Sequence, residues 1–492
     1  MFIWGIWIMI HILCDEKYKY DAVSIFQLFI PHEKPDFLPS ETNTANIDGD
    51  YIVLCSSNGR AEAEVSLGGE ISSHADSASD GLKHGFARAL YSCFEDITGL
   101  APGWGILTGV RPAKLMRRLL DTEGEQRASE IMRNDMLVSD KKLALCRSVS
   151  ENEGRITSLS APNSYSLYVS IPFCPTKCSY CSFVSNTIQQ AGHLIPDYLE
   201  KLCEELEVTA EAPARLGLKL ETIYIGGGTP GVLTAEQLDA LMGRISACFD
   251  ISSAREYTVE LGRPDVITAE KLQAVKENGA GRVSINPQTM NADILQSIGR
   301  RHTPQQTIDT FAAARDIGLT VNMDLIAGLP HELFDSFKNS IDTLISLSPE
   351  NITVHTLALK RAAGLDYKYG IYEADAVGKM VDYAYSSVTH AGYEPYYMYR
   401  QKRSPGNHEN VGYAKPGFES LYNVFIMDET HTILGAGAGA VTKLVSDVGK
   451  NIERVFNFKY PYEYINRFNE LIERKSAVAE FYNKSWQKSG LC

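Results

Sequence analysis

The chain has 492 residues, 44% of them apolar and 22% charged, and a formal net charge of −14. That length exceeds a single core and predicts roughly three domains, while the acidity excludes nucleic acid as a bulk partner, because neutralising phosphates needs a basic face. Ten cysteines in so long a chain are too few for a disulfide scaffold.

The first fourteen residues, MFIWGIWIMIHILC, are apolar but shorter than the ~18 residues of a membrane span. No Lys or Arg precedes them and no small-residue cleavage site follows, so a secretory signal fits poorly; residues 8–13 read as a strand. Residues 1–157 are expected to form an N-terminal α/β extension without a catalytic motif. Its strands are predicted at 51–55 and 63–67, its helices at 81–98, 127–133 and 141–151. Arg111, Lys114, Arg117 and Arg118 read as a solvated basic helix face. Residues 158–164 form a polar, turn-rich linker. Cys55, Cys93, Cys146, Cys203 and Cys248 sit in apolar or helical contexts and read as small buried hydrophobes.

From residue 165 the pattern alternates. Strands are predicted at 167–171, 222–225, 257–261, 282–285, 320–326 and 351–357. Helices lie between them, at 196–211, 235–248, 269–279, 304–317 and 332–347, several opened by a helix-start residue: Thr234, Thr268, Thr303. Regular β/α alternation predicts a parallel sheet with right-handed crossovers. Six units are too few for a closed eight-fold barrel, so residues 165–372 fit a partial, laterally open (β/α)6 barrel, with reactive groups on loops after strand C-termini.

Residues 373–492 are aromatic-rich and carry a glycine run at 434–440; they read as a separate C-terminal cap over the open barrel. Arg400, Lys402, Arg403 and His408 lie there amid Tyr396, Tyr397, Tyr399 and Tyr413. Cations among aromatics suit a flat apolar ring system edged by carboxylates. They also suit stacked bases, against which the overall acidity weighs.

The densest signal is SIPFCPTKCSYCSF, with Cys174, Cys178 and Cys181 on one loop after an apolar strand. Three thiolates can hold three irons of a [4Fe–4S] cluster, whose usual complement is four cysteines. The missing fourth leaves one iron open to a small molecule. A structural zinc site takes two separated ligand pairs, and no second C-x-x-C or H-x3-H lies nearby. A redox C-x-x-C pair would not need Cys174. Oxidants attack an open cluster, so a cytoplasmic location is expected.

C-x3-C-x2-C with Tyr180 before the last cysteine resembles the radical S-adenosylmethionine (SAM) superfamily. YVSIPFCPTKCSYCSF, with IYIGGGTP at 223–230, is similar to its coproporphyrinogen dehydrogenase branch of the HemZ type, over nearly the whole chain. The resemblance implies the same partial barrel, a cluster on Cys174, Cys178 and Cys181, and SAM chelated to the open iron. It implies oxidative decarboxylation of two coproporphyrinogen III propionates to vinyl groups, with an unidentified electron donor and acceptor.

Gly226, Gly227 and Gly228 leave backbone groups free to approach a ligand closely; by resemblance Gly227, Gly228 and Thr229 meet the SAM amino group. Gly231 stands where relatives commonly have threonine, and is expected to loosen the turn. Glu260, at a strand end, can accept strongly from an ammonium or a ribose hydroxyl, and the resemblance places it at SAM. It likewise implies ribose contacts for Gln288 and Asp324. A carboxylate in a buried strand, as at Asp324, is costly unless paired. Arg300 has the donor fork for the methionine carboxylate, with Arg301 facing solvent. Ile326 and Ala358 line the adenine by resemblance. Tyr180 packs over it or shields the cluster. Tyr168, on the face of its strand shared with Ser170, is by resemblance the residue that positions substrate or SAM.

Well-understood members of the branch carry a further cysteine two residues after the third; here that position is Phe183. HemZ-type sequences share its absence, and so do haem chaperones of the same branch, which deliver haem without decarboxylation. The long N-terminal segment and GNHENVGY favour the HemZ type. An anaerobic haem-modifying methyltransferase and a non-catalytic binding module are further alternatives.

Overall fold

The computed structural model describes residues 10–31, 33–183, 185–358, 370–401, 404–446 and 451–489. Lys402 and Arg403, and the expected first strand ahead of Ile10, lie outside them.

Five strands form the first sheet: β1 (Ile10–Leu13), β2 (Asp36–Leu38), β3 (Asp50–Ser57), β4 (Arg60–Leu67) and β5 (Glu70–Asp76), in the order β2-β1-β3-β4-β5. Alternate residues of β4, from Ala61 to Leu67, are buried, the period-2 pattern of a half-covered sheet. Helices Lys19–Phe29 and Leu82–Thr98 cover that face, with Phe29 and Phe94 stacked 4.9 Å apart. This unit has its own core. Ile106 joins that core, with Met136 and Leu137 packed on it, but Trp104, Met116, Leu145 and Val149 join the core of the large sheet. The expected single extension over 1–157 therefore divides near residue 100, because the helices after it turn their apolar faces to the second sheet.

That sheet has eleven strands. Six follow one another in chain order and run parallel: β6 (Ser164–Ile171), then, after the short pair β7 (Phe173–Cys174) and β8 (Asn186–Thr187), β9 (Lys219–Gly227), β10 (Glu256–Gly262), β11 (Arg282–Ile285), β12 (Thr320–Ala327) and β13 (Asn351–Thr356). Helices fill the crossovers. Thr234 and Thr303 open theirs with reciprocal capping boxes to Gln237 and Gln306, and Thr268 accepts from the Lys271 N–H, satisfying donors the helix leaves free. Among the described strands the order is open, ending at β14 (Glu394–Arg400) and, after β15 (Glu409–Ala414), β16 (Thr432–Ala436) and β17 (Val441–Ser446), at β18 (Asn451–Phe456).

The parallel strands alternate strictly. Leu167, Val169, Ile223, Ile225, Val259, Leu261, Val321, Met323 and Leu325 are fully buried in the apolar core. Register pairs Ser166 with Thr222, Tyr168 with Tyr224, Ser284 with Asn322, and Asp324 with Thr353 on the opposite face. One face is oily and the other polar, and the polar face is concave.

The C-terminal segment is not a separate cap. β15 pairs antiparallel with β13, and β16 pairs parallel with β6, so it extends the sheet at both edges. Between them, helix Leu421–Asp428 lies against the polar face: Ser420 Oγ and the Leu421 N–H donate to Glu256, and Tyr422 stacks on Tyr224 at 4.6 Å. The basic face of helix Pro112–Glu123, expected to be solvated, is so only at Arg118. Arg111 pairs with Glu429, Arg117 with Asp428, and Lys114 donates to the Asp428 carbonyl. These contacts fasten the N-terminal helices to the C-terminal end of helix Leu421–Asp428. No helix of the described residues is long and apolar enough to cross a membrane.

Candidate active site

The C-terminal ends of β6 and β9–β13 open into a cavity of about 350 Å³. Cys174, Cys178 and Cys181 line one side; all three are free thiols. Their loop is short and tied down. The Cys181 N–H donates to the Cys178 carbonyl, the Ser179 N–H to Ile298 O, and the Thr176 hydroxyl to Gly299 O. Arg263, buried and doubly bonded to Asp265, donates its remaining nitrogen to Thr176 Oγ1 at 2.5 Å. Burial pushes the Cys181 thiol up to about 11, with Cys178 and Cys174 adding to it, and raises the Cys174 thiol.

Among the described residues no three His, Cys, Asp or Glu groups converge as ligands of a single metal ion. Three thiols that each bind a different iron need not converge in that way, so the donor set fits a [4Fe–4S] cluster and not zinc.

The rest of the lining is polar and partly unpartnered. Asn286 Oδ1, Gln288 Oε1, Arg300 Nε and Asn322 Oδ1 are buried without a hydrogen-bond partner, and all four residues line the cavity. Buried polar atoms are normally satisfied, so these four fit the amino acid and ribose groups of SAM. The glycine turn makes room: a Cβ at Gly228 would lie 2.6 Å from Phe173 O and 3.0 Å from Cys174 Sγ, and Gly227 has φ +108°. Gly231 does not loosen this turn. A Cβ there would lie 2.6 Å from Leu261 O, so glycine lets Pro230–Val232 pack on β10.

Gln288 has φ +69°, its N–H donating to Asp324 O and its carbonyl accepting from the Ile326 N–H. A left-handed glutamine costs of order 1–3 kcal/mol, and this bridge holds it. Asp324 is not unpaired: Oδ1 accepts from Asn322 at 3.0 Å, and His355 Nε2 lies 3.7 Å from Oδ2. Glu260 accepts from Tyr224 at 3.2 Å; burial, then the Asp324 charge, push its carboxyl up to about 8. Arg300 donates to Asn286 O, while Arg301 is exposed. Ile326 and Tyr180 belong to one apolar cluster with Ile298 and Leu357, a surface suited to adenine, and Ala358 lines the same cavity.

Tyr168 stands apart from the other expected residues. It does not line the cavity but stacks behind Tyr224 and beside Tyr422, at 6.3 and 6.1 Å. Arg400 and His408, expected to face a flat ligand, are buried elsewhere. Arg400 packs on Trp104 and donates to Leu107 O and Asn407 O; His408 bonds Ala374 O. Tyr396 and Tyr413 are core residues, leaving Tyr397 and Tyr399 at the far wall. Unanticipated there are Asn322, Thr353 and His355. Their signal was the polar alternation of strands that otherwise read as core.

A model of the radical SAM superfamily matches residues 168–344. The oxygen-independent coproporphyrinogen-III oxidase-like protein HemZ of Bacillus subtilis is 40% identical over 396 residues, 78% of this chain and 78% of that protein. The chain belongs to the radical SAM superfamily, in its HemZ branch. The haem chaperone HemW of Bacillus subtilis is also similar, 33% identical over 60% of this chain and 77% of that protein. Among solved structures, coproporphyrinogen III oxidase HemN of Escherichia coli has 22% identity over 65% of this chain and 72% of that one, with a TM-score of 0.48. As in the superfamily, the HemZ-branch cofactors are a [4Fe–4S] cluster and SAM.

Proposed function

We propose that the protein is an oxygen-independent coproporphyrinogen dehydrogenase of porphyrin biosynthesis, acting in the cytoplasm. The observation that carries the reading is one continuous cavity joining three thiols, a set of unpartnered polar groups, and a wall of Tyr224, Tyr397 and Tyr399. When bound, the cluster and SAM supply one-electron cleavage of SAM to methionine and a 5′-deoxyadenosyl radical. Each converted propionate loses a hydrogen atom from its β-carbon, then CO2 and one electron to an acceptor, and a vinyl group remains.

In this reading Cys174, Cys178 and Cys181 hold three irons. Gly227, Gly228, Thr229 and Glu260 receive the SAM amino group, Arg300 its carboxylate, and Gln288 and Asp324 its ribose. Ile326, Ala358 and Tyr180 enclose the adenine. Tyr168 acts through the stack, as a positioning residue that fixes the plane of Tyr224. The helix Leu421–Asp428 closes the concave face and keeps water out, which strengthens every polar contact inside. The tyrosine wall holds the substrate β-carbon at reacting distance.

The test is anaerobic: reconstituted protein, reductant, SAM and coproporphyrinogen III, with tetrapyrrole products followed by mass spectrometry and Cys178→Ala as control. Stepwise loss of two carboxyl groups, absent in the variant, supports the reading. The similarity to HemW favours a second reading, haem binding and delivery without decarboxylation; tight haem binding with an unchanged tetrapyrrole would establish that instead.

A further inference from the structure

We infer that His355 is a carboxylate receptor at the far end of the cavity, built to hold one acidic arm of the substrate. The inference rests on the substrate class proposed above. His355 projects from β13 beside Ile326, on the polar face. Its two nitrogens reach toward different groups and grip neither. Nδ1 lies 3.4 Å from the Tyr399 hydroxyl and Nε2 3.7 Å from Asp324 Oδ2, both longer than a good hydrogen bond. Its side chain keeps 27% of its surface accessible, facing the cavity it lines.

The charge pattern gives the ligand class. Among the described residues lining the cavity, Lys177, Arg263 and Arg300 stand on the thiol side. The far end is built from Thr353, Tyr397, Tyr399, Gln401 and Asn423, and among the described residues His355 is its one base. A carboxylated ligand entering there meets a ring N–H donor in His355, whose Nε2 lies 3.7 Å from Asp324 Oδ2. Tyr399 supplies a second donor beside the ring, and Gln401 Nε2 steadies its hydroxyl at 3.4 Å. A carboxylate with one oxygen on the ring N–H of His355 and one on the phenol gains two hydrogen bonds assisted by its own charge. It would be held beside the ribose-binding Asp324, the position at which an acidic arm must sit to react.

The experiment compares binding of coproporphyrin III and its tetramethyl ester to the reconstituted full-length protein, by quenching of porphyrin fluorescence. The wild type is expected to prefer the free acid by about tenfold or more. His355→Gln should abolish most of that preference and His355→Lys should retain it, with iron content confirming that each variant holds its cluster. Full acid preference in His355→Gln overturns the receptor while leaving the substrate class standing. A wild type that binds neither porphyrin overturns the substrate class and the receptor with it.

Discussion

Arg263, at the exit of β10, donates to the hydroxyl of Thr176, between the first and second cysteines of the thiol loop. Because Thr176 passes the bond on to Gly299 O, one guanidinium couples the loop to the end of β10 and to the turn after helix Ala292–Ser297. Replacing Arg263 by leucine leaves the half-buried Asp265 without its partner and the loop without its tie. Losing hydrogen bonds to a charged group costs about 1.5–3 kcal/mol. The expected result is a protein that folds but retains less than half the wild-type iron and sulfide after reconstitution, by metal analysis. Arg263→Lys should fall between the two.

Gly228 and Gly243 make a matched pair. A Cβ at Gly228 collides with Phe173 O and Cys174 Sγ, whereas one at Gly243, on the exposed face of a helix, meets nothing within 4 Å. Gly228→Ala is expected to abolish SAM binding, measured by equilibrium dialysis. Gly243→Ala should leave it unchanged and stabilise the fold by about 0.5–1 kcal/mol, since helical glycine is costly relative to alanine.

Glu260 predicts a proton released on SAM binding. Burial, then Asp324, hold its carboxyl at about 8, so at pH 7 it is largely protonated in the free protein. An ammonium beside it favours the ionised form. SAM affinity should therefore rise with pH up to about 8, by at most about tenfold per pH unit, and flatten above. Calorimetry in buffers of different ionisation heat should show the released proton in the wild type and none in Glu260→Gln.

Glu409 governs acid stability. Burial alone would raise its carboxyl, but Lys142 at 2.5 Å, with His408 and Trp104, outweighs burial and holds it down to about 2. Its ordinary value when unfolded is about 4.3. A carboxyl depressed on folding contributes stability that is fully present above the unfolded value and lost as pH falls toward the folded one. Denaturant titrations should therefore show the wild type losing this contribution between about pH 4.5 and 2. Glu409→Gln should be weaker by about 1.5–3 kcal/mol at pH 7, because the buried Lys142 keeps only Asp382 as an ionic partner, and less sensitive to acid.

The thiol loop, the six parallel strands and the helix starts at Thr234, Thr268 and Thr303 were legible because each is a local signal: a spacing, an alternation, a cap. The expected residues from Cys174 to Ala358 gather at one cavity for the same reason, since parallel strands deliver their C-terminal ends to one side. What failed was long-range. Nothing near Arg117 announces Asp428, three hundred positions later, so paired cations looked solvated. Arg400 and His408 lie among tyrosines in sequence, but composition does not say which faces inward; Trp104 and Ala374 take them. His355 and Asn322 carry no local motif; their signal is only that every second residue of their strands is polar, and that face lines the cavity. Tyr168 obeys the same alternation, yet Tyr224 stands between it and the cavity.

The most direct test uses coproporphyrinogen III deuterated at the propionate β-carbons, turned over anaerobically by the reconstituted protein with SAM. The account predicts deuterium in the 5′-deoxyadenosine formed and a tetrapyrrole that has lost two carboxyl groups. Unlabelled 5′-deoxyadenosine beside intact substrate would contradict it.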